Sequence, residues 1–502
     1  MSRVIFNIRK NTYYDSVKLM LISKDVKKIE GVHEALVGMG TDLNKELAEN
    51  LDLISPEIEE LGPNDFFITV LADESVEINT VVDEADRLLN QKGSDSQSDY
   101  MPPNLNSALE HSPDSNIALI SVAGEYAADE ARNALNKGLH VMIFSDNVKI
   151  EDERELKELA LSKGLLMMGP DCGTAIINNI PLAFANVIRK GKIGIVGASG
   201  TGIQETTVLI HKLGEGVSQV IGTGGRDLSL EVGGIMMLQS LEALVEDTNT
   251  EVILLISKPP AKEIEEKILA KVKEIKKPVV VSFIGGEKEL IEKNGGVSAI
   301  SLEDAARKSV ALLRGEAVED FDGFTMSMDQ VEKLVNDETA KLGKEQKYLR
   351  GMYTGGTLAD ECMKLLSPVI GDMYSNIPLK PEYKLKDVFK SQEHTCVDFG
   401  DDDFTKGRPH PMIDPSIRME QLEVEAKDEN IALVLMDFVL GYGSHPDPVG
   451  EMIPAIIDAK AEKVKKGQHL IVVASVCGTE NDPQDLIQSE KKLKDAGVIV
   501  MH

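Results

Sequence analysis

The sequence predicts a multidomain α/β protein built mainly from parallel sheets in three-layer domains, and three observations carry that reading. Short apolar runs such as IALISV, HVMIFSD, EVILLI and PVVVSFI alternate with amphipathic stretches of helical period, the pattern of strands buried beneath helices. At 502 residues the chain exceeds what a single core supports, so three or four domains are expected. Two segments, IGIVGASGTGIQE at 193–205 and LRGMYTGGTLADE at 349–361, share the order strand, glycine-rich turn, helix. That repetition points to two pseudo-equivalent domains facing one site.

Taken in order, residues 1–90 read strand, helix, strand, helix, strand and form a small amino-terminal α/β domain without a glycine-rich nucleotide loop. Residues 91–116 are rich in Ser, Asp, Asn and Pro and read as a linker. Residues 117–190 follow a strand–helix rhythm with three strands, IALISV, HVMIFSD and LLMMG, each helix ending on a glycine. Residues 191–315 open on the first glycine-rich turn and continue through SQVIGTG, EVILLI and PVVVSFI. Residues 316–347 are charged and strand-free, a connector. Residues 348–502 repeat the plan from the second glycine-rich turn and stop at GVIVMH, just after a strand, where one more helix would ordinarily cover the sheet.

Composition bounds the function. Apolar residues make up 42% and tryptophan is absent, so aliphatic side chains must fill the cores. The formal charge of -30 repels polyanions, which excludes non-specific nucleic-acid binding. Cys172, Cys362, Cys396 and Cys477 are scattered and form no CxxC pair, so neither a disulfide scaffold nor a zinc ribbon is expected and a reducing cytoplasm is the natural reading. Neither a signal-like amino-terminal run nor a membrane-spanning apolar stretch is legible.

Seven loops could carry chemistry. In GASGTG, Gly200 and Gly202 let the backbone approach an anion while Ser199 and Thr201 add hydroxyls at a helix N-terminus; the bland alternative is a capped tight turn. The same holds for Thr354, Gly355, Gly356 and Thr357. In GTGGRD, Gly224 and Gly225 precede Arg226, which could clamp a carboxylate or phosphate, or simply pair with Asp227. In GPDCGT, the loop Gly169, Pro170, Asp171, Cys172 follows a strand at the edge where open α/β sheets bind ligands. Cys172 there is either a nucleophile or a small buried hydrophobe. The segment DFGDDDFTKGRPHPMIDPSIR at 398–418 mixes Asp398, Gly400, Asp401, Asp402 and Asp403 with Lys406, Arg408, His410, Asp414 and Arg418. Its aspartates could hold Mg²⁺, and Arg408 and His410 suit an anionic substrate, though acidic runs are often only solvated surface. His445 and Asp447 in GYGSHPDP, with SVCGTENDPQ, share the rim of the same sheet.

The long strings NIALISVAGEYAADEARNALNKGLHVMIFSDN, GLLMMGPDCGT, GKIGIVGASGTGIQE, GTGGRDLS, YTGGTLADE, DFGDDDFTKGRPHPMIDPSIR and GTENDPQ resemble the FdrA family over essentially the whole chain. That resemblance implies one subunit of a carbamoyltransferase complex of anaerobic allantoin breakdown, interconverting oxalurate plus phosphate with oxamate plus carbamoyl phosphate. FdrA in turn is similar to the succinyl-CoA synthetase superfamily. The resemblance implies a Rossmann-like CoA-binding-type domain at 117–190 and two flavodoxin-like synthetase-type domains at 191–315 and 348–502. It places Ser199, Gly200, Thr201 and Gly202 at one phosphate-holding helix and Thr354, Gly355, Gly356 and Thr357 at the opposing one.

Two departures qualify it. The synthetases' phosphohistidine should follow PVVVSFI, where this chain reads FIGGEKEL, and the connector is too short for an ATP-grasp module. ATP-driven ligation by this chain alone is therefore not expected. Residues 1–90 lack the glycine-rich first turn of a CoA site, which argues against CoA. The expected ligands are phosphate or carbamoyl phosphate with a small anionic co-substrate held by Arg226, Arg408 or His410, with no tightly bound cofactor. The expected partners are two further subunits, and a homo-oligomer is compatible. The alternatives are an acyl-CoA synthetase subunit served by a separate ATP-grasp chain, and a metabolite-binding structural subunit.

Overall fold

The computed structural model describes residues 2–12, 14, 16–90, 102–321, 323–405 and 408–501. The chain forms two compact units, one of residues 1–115, 121–123 and 405–409, the other of 116–120, 124–404 and 410–502.

The first unit is built on a three-stranded antiparallel sheet with Phe66–Asp73 in the centre, Ser2–Arg9 on one side and Val32–Met39 on the other. The central strand alternates as a buried strand should. Phe66, Ile68, Val70 and Ala72 pack with Leu19, Ile22 and Val26 of the helix Ser16–Val26, whereas Phe67 and Leu71 face Ala48, Leu53 and Ile58. Thr69, buried among the latter, gives its hydroxyl proton to the Leu53 carbonyl. The expected linker at 91–116 contains a short helix, Leu105–His111, because the Asn104 side chain accepts from Ser107 N and starts it. Residues 91–101 of that linker, and Lys406, lie outside the described residues.

The second unit holds three sheets, as the strand–helix rhythm predicts. A three-stranded parallel sheet joins Ile117–Ile120, His140–Ile143 and Met167–Met168. A seven-stranded sheet runs Val297–Ser298, Val279–Phe283, Val252–Ser257, Lys190–Gly197, Val217–Gly222, Thr174–Ile177 and Ile180–Ala183. Its first five strands are parallel and the last two form an antiparallel hairpin. A fully parallel five-stranded sheet runs Thr395–Asp398, Tyr348–Tyr353, Ile431–Val439, Ile471–Cys477 and Ile499–Met501.

The hairpin places residues 174–183 in the seven-stranded sheet, whereas the sequence pattern assigns them with 117–190. Asn178 and Asn179 both adopt positive φ, of 50° and 66°, the two-residue turn that matches strand twist and that asparagine tolerates. The short runs TAII and IPLA are thereby folded back onto the neighbouring sheet.

Connectivity positions the site. Lys190–Gly197 has the next strand, Val217–Gly222, on one side and the one after, Val252–Ser257, on the other. Tyr348–Tyr353 likewise separates Thr395–Asp398 from Ile431–Val439. Connections leaving in opposite directions open a crevice at the carboxyl end of the strand, where parallel sheets bind ligands. Both glycine-rich turns sit at such switch points.

Candidate functional site

The two glycine-rich turns meet. After Lys190–Gly197, Ala198 N still donates to Ile256 O at 2.9 Å, and Ser199 then caps the helix Gly200–Lys212 by accepting from Gly202 N at 3.0 Å. After Tyr348–Tyr353, Thr354 leads into the helix Gly356–Ile370, whose N-cap is Gly355. The Ser199 hydroxyl hydrogen-bonds directly to the Thr357 hydroxyl. A Cβ on Gly355 would stand 2.3 Å from Thr201 Cγ2, and one on Gly202 would stand 3.0 Å from Thr357 Cγ2. These glycines let two helix N-termini touch, bringing two sets of free N–H groups and two partial positive charges to one place.

A second feature escaped the sequence reading. Lys258 follows the strand Val252–Ser257, and its ammonium reaches the first turn of the helix Gly356–Ile370. A Cβ on Gly356 would lie 2.3 Å from Lys258 Nζ and 2.7 Å from Asp398 Oδ2, and Asp360 Oδ2 lies 3.8 Å from the ammonium. The lysine stands alone in SKPPAK, outside any motif; its only sequence signal is its place at the carboxyl end of a parallel strand.

Around this lysine the acids are held back from ionising. Asp398 is buried, which pushes its carboxyl up to about 7 despite Lys258 and the Gly400 N–H. Asn376 clamps its backbone from both sides. Asp171 is also pushed up, first by the protein packed around it and then by Asp146, Asp402 and Asp398, but it is exposed, so water screens that push. Asp360 is raised by burial. His410 is half-buried against Phe184, with ring centroids 5.3 Å apart, and the protein packed around it brings it down to about 4. Its Nδ1 accepts from Met412 N, so in the neutral ring the proton sits on Nε2, which points at Gly400: a Cβ there would stand 2.8 Å away.

Several expected ligand groups have other partners. Arg226 is taken by Glu153 at 2.9 Å and by the Val148 carbonyl, rather than by Asp227 or an open site. Asp227 instead pairs with the fully buried Lys157, which also holds Glu153 and the Thr223 carbonyl, and it caps the helix Ile235–Glu246 through Met236 N and Met237 N. Thr354 gives both its N–H and its hydroxyl to the buried Asp437, which Arg418 also supports, so its hydroxyl is no free donor. Cys172 is buried, its thiol pushed up to about 12 by burial, and it is packed against the Thr174 carbonyl; it suits the small hydrophobe rather than the nucleophile.

Gly200 needs no bare backbone against protein, because the nearest atoms to a Cβ there are 3.6 and 3.9 Å away. Gly169 and Gly224 take positive φ and pack on the Ile143 and Pro170 carbonyls, so they shape the loops, whereas Gly225 faces the Asp171 carboxylate. Arg408 falls in the first compact unit. His445 folds onto its own loop, accepting from Asp447 N. Among the described residues no group of three or more His, Cys, Asp or Glu side chains could hold a metal, so Asp398, Asp401, Asp402 and Asp403 do not converge as a Mg²⁺ site.

The last loops lock the two larger sheets together. Asp482 of GTENDPQ accepts from Asn186, from Val187 N and from Thr479 N, and Gln484 exchanges hydrogen bonds with Gly441. The segments around 186 and 478–484 are thus two halves of one latch.

Comparison with known proteins agrees with this architecture. Three family models match: AllF, heavy metal-associated domain, at residues 1–102; CoA binding domain at 188–285; and CoA-ligase at 352–502. The first implies a metal that the residues do not fit: no cysteine lies in 1–102, and His33, its one histidine, pairs with Asp73 at 2.9 Å. The second falls on the sheet of the first glycine-rich turn. Two of its turns lie against protein, Gly224 against the Pro170 carbonyl and Gly285 against the Lys364 ammonium.

The succinate–CoA ligase alpha subunit of Aquifex aeolicus is 29% identical over 213 residues, 41% of this chain and 67% of that protein. The dinucleotide forming acetyl-coenzyme A synthetase 1 of Ca. Korarchaeum cryptofilum shares 16% identity over 82% of this chain and 84% of that one, with a TM-score of 0.34. YahF of Escherichia coli, an uncharacterized protein, is 48% identical over 493 residues, 98% of this chain and 95% of that protein. The chain therefore belongs to the family of YahF, with CoA-binding and CoA-ligase domains like those of succinyl-CoA synthetase and an AllF-type amino-terminal domain.

Proposed function

We propose that this chain is a subunit of a phosphate-dependent carbamoyltransferase, converting oxalurate and phosphate into oxamate and carbamoyl phosphate together with two further subunits. The observation that carries this reading is the contact between the two glycine-rich helix N-termini, Ser199 against Thr357 and Gly355 against Thr201. Donors fixed by the fold meet charge that develops on phosphoryl oxygens during transfer without reorganising, which is how such sites lower barriers. The neutral His410, with its proton on Nε2, adds a donor for a carbonyl oxygen.

The turn after Val279–Phe283 supports transfer without a phosphohistidine relay. Lys364 of the facing helix gives a proton to the Ile284 carbonyl, and a Cβ on Gly285 would lie 1.6 Å from its ammonium. A side chain at Gly285 would have to displace that ammonium.

We assign the protein to the cytoplasm. All four cysteines are free and buried, and among the described residues no helix is long and apolar enough to cross a membrane. The test is phosphate-dependent cleavage of oxalurate by the chain assembled with its partner subunits, with carbamoyl phosphate followed by phosphorus NMR. Cleavage that ignores phosphate overturns the reading.

A second reading is favoured by the CoA-binding and CoA-ligase matches: an acyl-CoA synthetase subunit served by a separate ATP-grasp chain. Calorimetric titration with CoA separates the two, since sub-micromolar binding supports the synthetase.

A further inference from the structure

We propose that the strand Ser2–Arg9 is a dimerisation edge, which pairs antiparallel with the same strand of a second copy of this chain, so that two three-stranded sheets become one sheet of six.

The edge is open where the fold makes room for a strand. The helix Ile78–Asn90 follows the central strand Phe66–Asp73 and lies on the side of Ser2–Arg9, where Arg9 donates to both carboxylate oxygens of Asp86 at 2.6 and 2.7 Å. A right-handed connection from the central strand through that helix to a further parallel strand would set that strand beside Ser2–Arg9 and antiparallel to it. Among the described residues no strand pairs there. The cores on both faces of the sheet run out to this edge. Val4, Phe6 and Ile8 pack against one and Ile5 against the other, yet none of the strand's eight residues is buried. On the opposite edge strand Val32, Ala35, Leu36, Val37 and Met39 are all buried.

Ser2–Arg9 lacks the features that keep edges apart. Edge strands avoid one another through lysine, proline, inward charges or bulges. SRVIFNIR holds neither lysine nor proline, and its pairing with the central strand runs unbroken from Ser2 against Asp73 to Arg9 against Phe66. The opposite edge is guarded by a register shift between Val32 and Glu34, with His33 paired to Asp73 and Glu34 to Lys27.

The strand is also complementary to itself. In a two-fold pair across a continuous sheet, residues opposite one another share a face, so even positions meet even ones and odd meet odd. Centred on Ile5, Val4 meets Phe6 of the second copy and Arg3 meets its Asn7. Centred on Phe6, Arg3 would meet Arg9, and like charges directly opposite are destabilising. The strand's only charged residues are Arg3 and Arg9, and Arg9 is already paired with Asp86, so a strand of another protein finds little charge to read. The Ile5-centred register adds about six to eight backbone hydrogen bonds.

The full chain, Ile5→Lys, Ile5→Cys and Phe6→Cys are compared by sedimentation over about 1–100 μM, with far-ultraviolet circular dichroism as the folding control. The parent should sediment as a dimer. Ile5→Lys sets two ammonium groups against each other on the axis and should weaken the dimer by about tenfold or more. Mild oxidation should join two chains of Ile5→Cys through a disulfide that dithiothreitol reverses, because opposite Cβ atoms lie about 4.5–5.5 Å apart. Phe6 is diagonal to its counterpart, about 7–8 Å away, so Phe6→Cys should cross-link far more slowly. The four native cysteines are buried and add little background. A parent that stays monomeric leaves the edge to a strand of another protein and overturns the proposal. So does a dimer that a folded Ile5→Lys leaves unchanged, or cross-linking no faster in Ile5→Cys than in Phe6→Cys. Should Ile5→Lys fail to fold, the two cysteine variants decide it alone.

Discussion

Placing a methyl group at Gly355 should separate the two helix N-termini, and placing one at Gly200 should not. At Gly355 the new Cβ would stand 2.3 Å from Thr201 Cγ2, 2.6 Å from its Oγ1 and 3.0 Å from its Cβ. Carbon atoms rest at about 3.5–4.0 Å, so the contact must open by more than about 1 Å. Thr201 cannot yield, because it is buried in the first turn of its helix between the Ser199 cap and the second glycine turn. The backbone conformation at Gly355 suits any residue, with φ of -163°, so the cost is pure overpacking, about 1–3 kcal/mol.

At Gly200 the nearest atoms lie 3.6 and 3.9 Å away, ordinary contact, and alanine in a helix is favoured over glycine by up to about 1 kcal/mol. Gly200→Ala should therefore be neutral or slightly stabilising and Gly355→Ala destabilising. Urea unfolding followed by far-ultraviolet circular dichroism measures both, alongside phosphate titration. Equal losses in the two variants, or none in Gly355→Ala, would refute the reasoning that this glycine exists to admit Thr201.

Three further outcomes are expected. Gly356→Ala places its Cβ against the flexible end of Lys258 but also 2.7 Å from Oδ2 of the buried Asp398, so it should cost about 1–3 kcal/mol in urea unfolding and weaken phosphate binding as the ammonium is displaced. Asp398 titrates at about 7 against an ordinary 3.8, so its folded form binds the proton more tightly. Its contribution to stability is complete below about pH 4 and is lost as pH rises through about 7, by at most about 4 kcal/mol. A thermal midpoint that falls between pH 4 and 7 in the parent but less steeply in Asp398→Asn is the expected record, and parallel profiles would contradict it. Lys157→Met leaves the buried Asp227 without its cation and Glu153 with Arg226 alone, which should cost about 3–5 kcal/mol in a urea titration, far more than an exposed pair such as Arg154 with Glu158.

The sequence by itself determined the parallel-sheet architecture, because buried strands and covering helices leave different hydrophobic periods, and those periods were legible from IALISV to HLIVVASV. It also determined both glycine-rich turns, since strand, glycine turn and helix are contiguous in the chain. What it left undecided were relations between distant residues. The Asn178–Asn179 turn was written in the chain, but which sheet would receive its hairpin depended on a free edge at Val217–Gly222. Arg226 and Thr354 read as donors to a ligand because their partners, Glu153 and Asp437, lie 73 and 83 positions away (226 − 153 and 437 − 354). Lys258 was invisible for the opposite reason. Nothing around it in sequence marks a site, and only the packing of one sheet's carboxyl edge against the first turn of a helix from another sheet brings its ammonium to Gly356 and Asp398. Local pattern fixes elements, because their hydrogen bonds and periods are local; the site is made of charges from four separate segments, and only tertiary packing sets their distances.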